Sequence, residues 1–206
     1  LSSDDEEWLF GFRVRLFVRA WRAHPLWLLG RTKEAAASAD AALALADELE
    51  HPYSQAVARA FAVITQHLLG DKERSAELAN SVRAVCDRYG FAFYGDWGRI
   101  LEGWATGGAR GEALIREGID RLRALHAETR LPLFLGLLAE VLIGSGRAAE
   151  ASRVLAGARS LADAHGDRWW LAELWRLDAG LHAGPEGDAM LQRAATIARD
   201  QGLAPQ

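Results

Sequence analysis

A glycine recurs at near-constant intervals along this chain and restricts the folds that the sequence can adopt. Five such glycines, separated by 37 to 40 residues, each follow an apolar stretch: Gly30, Gly70, Gly107, Gly146 and Gly184. Two copies are similar in sequence: GRTKEAAASADAALALA from Gly30 and GRAAEASRVLAGARSLA from Gly146. A repeat of this length with two helical segments per copy is typical of tetratricopeptide-like α-solenoids, whose usual period is about 34 residues.

Residues 130–166 form the clearest copy of the repeat. Residues 133–143 are apolar on almost every side except at Glu140, as expected of a helix that packs on several sides. Residues 147–164 place apolar side chains three and four positions apart, with Arg and Asp between them, which is typical of a half-buried amphipathic helix. Gly146 separates the two segments, so each copy is predicted to be a helical hairpin.

The repeat predicts an all-α fold, an α-solenoid of about five antiparallel hairpins that wind into a right-handed superhelix. The predicted units of a single domain 1–206 are residues 4–50, 51–90, 91–129, 130–166 and 167–202. A small residue five or six positions after each corner is predicted to be buried where the second helix crosses the first. These residues are Ala35, Ala76, Ala113, Ala151 and Ala189.

Local signals refine the first and third units. Residues 3–6 fit a capping box, so a first helix is expected to begin near Asp4 and to carry Trp8, Leu9 and Phe12 on one side. His24 and Pro25 are expected to break or kink that helix.

Three glycines lie within the predicted first helix of the third unit, where glycine is costly unless neighbouring helices approach closely. These are Gly95, Gly98 and Gly103.

Composition restricts the class of protein further. The net charge of −4 gives no bulk preference for nucleic acid or for an anionic membrane. The single cysteine, Cys86, excludes an intramolecular disulfide and is predicted to be a buried thiol. The acidic N-terminus does not resemble a signal peptide, and the longest apolar run, residues 131–144, is shorter than the roughly 20 residues that span a bilayer. A cytoplasmic location is expected, and the start at Leu1 suggests a piece of a larger chain.

Motifs for catalysis or cofactor binding are lacking in the sequence. There is no GxxxxGK[ST] phosphate loop, no GxSxG nucleophile motif and no pair of histidines four residues apart. His126 and Glu128 match half of a zinc deaminase motif, but the PCxxC half is absent. The expected protein is therefore not an enzyme and has neither a cofactor nor a metal site.

Several sequence segments, in their order and spacing, resemble those of one group of proteins. They are WLLG at Trp27, LEHPYSQAVARAFA from Leu49, YGFAFYGDWGRILEGWA from Tyr89, LPLFLGLLAEVLIGSGRAAEA from Leu131 and HGDRWWLAELWRLDAGL from His165. From about Phe17 onward the chain looks like the C-terminal tetratricopeptide-like region of large bacterial signal-transduction ATPases. Such proteins join this region to a nucleotide-binding core and to a class III adenylate or guanylate cyclase domain, or to a LuxR-type or related transcriptional-activator domain. The resemblance implies a regulatory or interaction module without cyclase or ATPase activity.

A candidate binding surface follows from tetratricopeptide geometry, in which first helices line the concave face. Positions eleven and eight residues before each corner are predicted to share that face, and two tryptophans are expected beside them. The predicted binding residues are Arg19, Arg22, Arg59, Asp96, Trp97, Arg99, Trp169, Glu173 and Arg176. The fourth copy interrupts the row with Leu135 and Leu138. An arginine track suits an acidic peptide through bidentate guanidinium contacts. The alternative is that these arginines pair with Asp96 and Glu173 and only solvate the surface.

The tryptophans at helical spacing are predicted to be core residues, namely Trp104, Trp170 and Trp175. The predicted function is a noncatalytic interaction or regulatory module of a bacterial signalling or transcription-regulating protein. Its partner would be a protein, a peptide, an effector or an attached signalling domain, without direct contact with nucleic acid or a membrane. Two alternatives stay open: a free-standing helical scaffold that self-assembles, for example as a homodimer, and an all-α enzyme or ligand carrier whose pocket is lined by Trp and Arg.

Overall fold

A computed structural model describes the backbone of residues 8–9 and 12–203 and the side chains of residues 14–203. Ten helices follow one another along the described chain. They are α1 (Val14–Leu28), α2 (Thr32–Leu49), α3 (Pro52–Leu68), α4 (Lys72–Tyr89), α5 (Ala92–Thr106), α6 (Gly108–Ala124), α7 (Leu131–Gly144), α8 (Ala148–His165), α9 (Leu171–Ala179) and α10 (Pro185–Asp200). The predicted all-α class is confirmed.

The N-terminal segment differs from the predicted helix. Two short strands, β1 (Trp8–Leu9) and β2 (Phe12–Arg13), pair in antiparallel fashion, and α1 begins only at Val14. The prediction that Trp8, Leu9 and Phe12 belong to the first helix is therefore wrong. Aromatic residues dominate this stretch and favour extended backbone over helix. The predicted capping box at residues 3–6 and helix start near Asp4 lie outside the described residues.

The predicted break at Pro25 does not occur, because α1 continues through this proline to Leu28, and the alternative of a kink stays a prediction. His24 is buried, and its Nε2–H donates to the carbonyl oxygen of Phe61 at 3.1 Å. The His24 ring also stacks on the Phe61 ring, with 5.4 Å between centroids. These contacts with α3 hold the last turn of α1 in place although Pro25 has no amide hydrogen to donate.

The five corner glycines have positive φ angles, between 66° and 76°. Other residues rarely adopt such angles, which explains why glycine recurs at the corners. Gly30, Gly70 and Gly146 each donate to the carbonyl three residues earlier, and the next residue donates five residues back, which is a Schellman-like helix end. Gly107 and Gly184 instead lie directly before a second helix. The repeat therefore contains two kinds of corner, in no regular order.

The chain divides into two compact units, Leu1–Ala105 and Thr106–Gln206. In the first unit α1 packs against α2, α3 packs against α4, and α3 also contacts α1 and α2. In the second unit α7 packs against α8 and α9 against α10, while α7 also contacts α6 and α9. Within each unit these are the contacts of stacked helical hairpins. The division falls inside the predicted third unit, residues 91–129, and the five predicted unit boundaries stay a prediction.

A small residue is buried near the start of each second helix. Ala35 and Ala151 are fully buried, as predicted. In the other copies the predicted alanine is a near neighbour of the buried residue, which is Ser75 in place of Ala76, Gly111 in place of Ala113 and Gly187 in place of Ala189. A Cβ atom at position 187 would lie 2.3 Å from the carbonyl oxygen of His182, so the backbones of this hairpin approach closely.

Candidate functional site

One member of the predicted row of charged residues, Arg59, contacts the second helices of the first unit. Arg59 of α3 donates to Asp47 of α2 at 2.7 Å and to Ser81 of α4 at 2.9 Å. A hydrogen bond from Arg31 lowers the pKa of Glu34 in α2, and the charge of Arg22 in α1 lowers it slightly further, so Arg22 lies near this second helix. A residue that bridges α2 and α4 does not lie on the free side of α3. The placement of this row on the concave face is therefore corrected for Arg59.

The carbonyl oxygen of Arg19 accepts a hydrogen bond from the hydroxyl of Ser38 in α2 at 2.8 Å. Of the predicted arginines in the first unit, Arg22 is the exposed one, and Arg19 is half-buried. These contacts do not leave a continuous track of exposed arginines, because helix packing involves part of the row.

Ion pairs occupy further members of the row. The Arg99 guanidinium lies 3.6 Å from Asp96, and the Asp96 side chain is buried. In the second unit Arg176 donates to both carboxylate oxygens of Glu173, at 2.5 and 2.7 Å, and these hydrogen bonds raise the pKa of Arg176. The alternative interpretation of the sequence named these two pairs, in which arginines neutralise Asp96 and Glu173.

The predicted surface tryptophans occupy different environments. Trp97 is only 2% exposed and packs against the rings of Phe93 and Tyr94, with centroids 5.2 and 5.4 Å away. The prediction of Trp97 as a surface ligand is therefore wrong. Trp169 is half-buried, and the guanidinium of Arg130 lies 5.0 Å from its ring centroid.

The predicted core tryptophans are largely confirmed. Trp104 and Trp170 are buried. Trp175 is half-buried, and the guanidinium of Arg159 lies 4.1 Å from its ring centroid. Tryptophan therefore serves mainly the interior of each unit, as helical spacing predicts.

An aromatic row, which sequence reasoning missed, joins the first helices of the first unit. Phe61 of α3 contacts Phe17 and Trp21 of α1 on one side and Trp97 of α5 on the other, with centroids 5.6 to 5.7 Å apart. The aromatic row is defined here as these four residues. Trp21 and Phe61 each lie nine positions before a corner glycine, so the repeat itself contained the signal. Trp21 ends the row with 46% of its surface exposed.

Groups with shifted pKa values lie in the interior. Burial, followed by the charges of Asp87 and Asp96, raises the pKa of the Cys86 thiol to about 12, and the predicted buried thiol is confirmed. Burial and then the charge of Lys72 lower the pKa of His67 to about 3. Both groups are therefore neutral near pH 7.

Two general features of the described residues bear on function. No group of three or more His, Cys, Asp or Glu side chains among them is arranged to hold a metal ion. None of the helices in residues 14–203 combines the length and the apolar character needed to cross a membrane.

Comparison with known proteins places the fold. No family model matches the chain. The chain is 32% identical over 186 residues to uncharacterized protein R02095 of Rhizobium meliloti (strain 1021), and the match covers 86% of this chain but 18% of that protein. The chain thus spans less than a fifth of the length of this relative.

The crystal structure of the apo form of RapI superposes with a TM-score of 0.67 at 12% sequence identity. The match covers 90% of this chain and 68% of RapI, itself a helical-repeat protein. The fold is a helical repeat. At this level of identity the likeness establishes the fold and nothing about ligands.

Proposed function

We propose that this chain is a noncatalytic helical-repeat module that binds a protein, a peptide or an attached domain. We further propose that it acts in the cytoplasm as part of a larger bacterial signalling or transcription-regulating protein. Its sequence resemblance to the C-terminal region of signal-transduction ATPases supports this context. So does the match to a bacterial protein of which it spans 18%.

The exposed end of the aromatic row is the observation that carries the proposal. Trp21 and Val18 lie three positions apart on α1, so they share one helix face, and about half of each side chain is exposed. Tryptophan is enriched at the energetic centres of protein interfaces, because its large rigid ring buries much surface at a small cost in conformational entropy. The rings of Phe61 and Phe17 both contact the Trp21 ring, each with 5.6 Å between centroids.

Charged residues flank this apolar patch. Arg15 and Arg22 of α1 are exposed on either side of it along the helix. A partner with an apolar side chain and neighbouring carboxylates would fit both parts of the surface. Arg22 is thus the one predicted binding residue that the proposed surface includes. The role of the other predicted residues in binding stays a prediction.

Site-specific photo-crosslinking in the full-length protein tests the proposal. A photoreactive amino acid at position 18 should give one discrete adduct in cells, and mass spectrometry should identify a partner protein or another domain of the same protein. The adduct should disappear when Trp21→Ala is added. The matched control carries the photoreactive group at the exposed Lys33 of α2.

Three results would count against the proposed surface. They are an adduct that persists in Trp21→Ala, an equal adduct at position 33, or no adduct at position 18. An adduct with a second copy of the same chain would instead support the self-assembling scaffold.

A further inference from the structure

A groove in the second unit runs between α6 and α8, and α7 forms its floor. Its volume is about 370 Å³, within the range of about 300–1,000 Å³ that is typical of binding sites. The apolar side chains along it are Ile119, Leu135, Leu138, Val154 and Leu161. Leu135 and Leu138 are the leucines that interrupt the predicted arginine row, and here they face the second helices. We call this the α6–α8 groove.

Gly157 keeps the α8 wall of the groove open. A Cβ atom built at this glycine would have no heavy atom within 4 Å. Glycine is unfavourable in the interior of an exposed helix, and no close helix approach compensates for it here. The missing side chain leaves open space on the α8 side of the groove.

Arginines line the rim of the groove on both sides. Arg116 of α6 is held by Glu112 at 2.9 Å and by Glu150 at 2.7 Å, so its charge is largely compensated. Arg123 of α6 is half exposed and lies 3.8 Å from the single carboxylate in the groove, Asp120.

The opposite wall carries Arg153 of α8, which is exposed and donates to the neutral carbonyl oxygen of Ala149 at 3.3 Å. Within the described residues no carboxylate pairs with Arg153. The rim therefore keeps positive charge on two facing helices, above a floor that is apolar.

We propose that the α6–α8 groove binds an acidic peptide segment. Such a segment would place an apolar side chain against Leu135 and Leu138 and carboxylates beside Arg123 and Arg153. Guanidinium groups bind carboxylates through paired, charge-assisted hydrogen bonds. The site deepens the proposed interaction function by naming a chemical class of partner, and it rests on that function. It uses residues of the second unit alone, so it can be tested separately from Trp21.

The dimensions favour a peptide over a small carboxylate. Arg116 and Arg123 are seven residues apart on one helix, which corresponds to roughly 10 Å along the groove. About three residues of an extended peptide cover that length. A chain with alternating acidic and apolar side chains would therefore meet the rim and the floor at the same time.

Fluorescence anisotropy with defined peptides tests the proposal. The probe is a short fluorescein-labelled peptide of alternating glutamate and leucine, titrated with the full chain at low salt. The wild-type chain should bind it. A lysine–leucine peptide should not bind, and a glutamate–serine peptide should bind about tenfold more weakly, since it lacks apolar side chains for the floor.

Variants locate the binding. Arg153→Glu should weaken binding at least about tenfold, the loss expected from one charge-assisted hydrogen bond. Arg193→Glu makes the same charge change on the exposed face of α10 and is the matched control. Asp120→Asn should tighten binding, because it removes the carboxylate that competes for Arg123. Gly157→Leu should block the groove without changing its charge, and Trp21→Ala should have no effect.

Certain outcomes overturn the proposal. They are failure of the glutamate–leucine peptide to bind the wild-type chain, an equal loss in Arg193→Glu, or unchanged binding in Gly157→Leu. Circular dichroism verifies that each variant is folded, and Arg153→Gln replaces the charge reversal if that variant unfolds. Peptide binding at the groove without a crosslink at position 18 would support this inference and refute the Trp21 surface.

Discussion

Gly98 shows how a single residue sets the distance between two helices. A Cβ atom at this position would lie 2.1 Å from Cγ1 of Val82 and 3.2 Å from the carbonyl oxygen of Ala79, both in α4. Gly95 is similar, since its Cβ would lie 3.1 Å from that of Cys86. The sequence predicted this close approach from the cost of glycine within a helix, and it is confirmed at both positions.

Replacing Gly98 with alanine should therefore destabilise the protein. The contact with Val82 and the α4 backbone overpacks the crossing, and such changes cost about 1–3 kcal/mol. Urea unfolding measures the change in free energy of unfolding. Gly157→Ala is the control, because the same substitution at an open, exposed helix position should stabilise by about 0.5–1 kcal/mol. Equal shifts in the two variants would show that α4 and α5 are not closely packed.

His67 should make stability depend on pH in a defined window. It lies edge-on to Trp104, with 4.4 Å between ring centroids, and burial lowers its pKa to about 3. In the unfolded chain its pKa is about 6.5, so below that pH the unfolded state binds more protons than the folded state. The His67 contribution is complete above about pH 6.5 and is lost as pH falls toward 3, by up to about 1.4 kcal/mol per pH unit.

The variant His67→Gln isolates this contribution, because glutamine does not titrate. The difference in free energy of unfolding between wild type and variant should change steeply between pH 6 and pH 4. The carboxylates cancel in that difference, since both proteins contain them. Parallel pH profiles for the two proteins would contradict the buried, neutral state of His67.

At the scale of helices, one contact between a second helix and the following first helix recurs with different chemistry. An arginine thirteen residues after the corner glycine pairs with an acid nineteen residues later in two copies: Arg83 with Glu102 and Arg159 with Asp178. In the first copy the equivalent positions are Leu43 and Ala62, which belong to an apolar cluster. The same packing position therefore accepts either an ion pair or an apolar pair.

This equivalence predicts a non-additive pair of substitutions. Asp178 is 1% and Arg159 14% exposed, so Asp178→Ala leaves a partly buried charge without its partner and should cost about 3–5 kcal/mol. The double variant Arg159→Leu with Asp178→Ala copies the first repeat and should recover most of that loss. Thermal unfolding of the single and double variants measures the coupling. Glu34→Ala, which breaks an exposed ion pair, should change the midpoint little. A double variant as unstable as the single one would show that the two positions are not interchangeable.

The helices themselves were largely predictable from the sequence, but the faces they present were not. The second helices and their buried Ala35 and Ala151 follow from apolar spacing, which depends on local periodicity. For Trp97 the face assignment failed because a count from the glycine assumes one kind of corner. Gly70 lies two residues before α4, whereas Gly107 lies directly before α6, so the count shifts by one. That shift is enough to move Trp97 from the polar side to the interior.

A second reason lies in the contacts between helices. Arg59 reads as a surface residue, yet it lies between α2 and α4 because Asp47 and Ser81 satisfy its guanidinium. Sequence periodicity does not reveal which neighbour will supply such partners. The N-terminal strands illustrate the same limit, since β1 and β2 pair with each other where the sequence predicted helix for Trp8, Leu9 and Phe12.

At the scale of the whole molecule, the contacts within each unit join elements that are close in the chain. The helix α3 contacts α1, α2 and α4, and α7 contacts α6, α8 and α9. Stability in such proteins is close to a sum of repeat terms and nearest-neighbour terms. Damage in one hairpin should therefore remain local instead of unfolding the chain as one body.

The substitution Ala151→Trp tests this locality. Ala151 is fully buried at the start of α8, so tryptophan should overpack the hairpin and destabilise it by about 1–3 kcal/mol or more. Hydrogen exchange followed by mass spectrometry should show loss of protection in α7 and α8, while α2, α3 and α4 keep theirs. Ala149→Trp, an exposed position on the same turn, is the matched control and should leave exchange unchanged. An unaltered melting temperature in Ala151→Trp would show that α8 is placed in the wrong register, and uniform loss of protection along the chain would contradict nearest-neighbour stability.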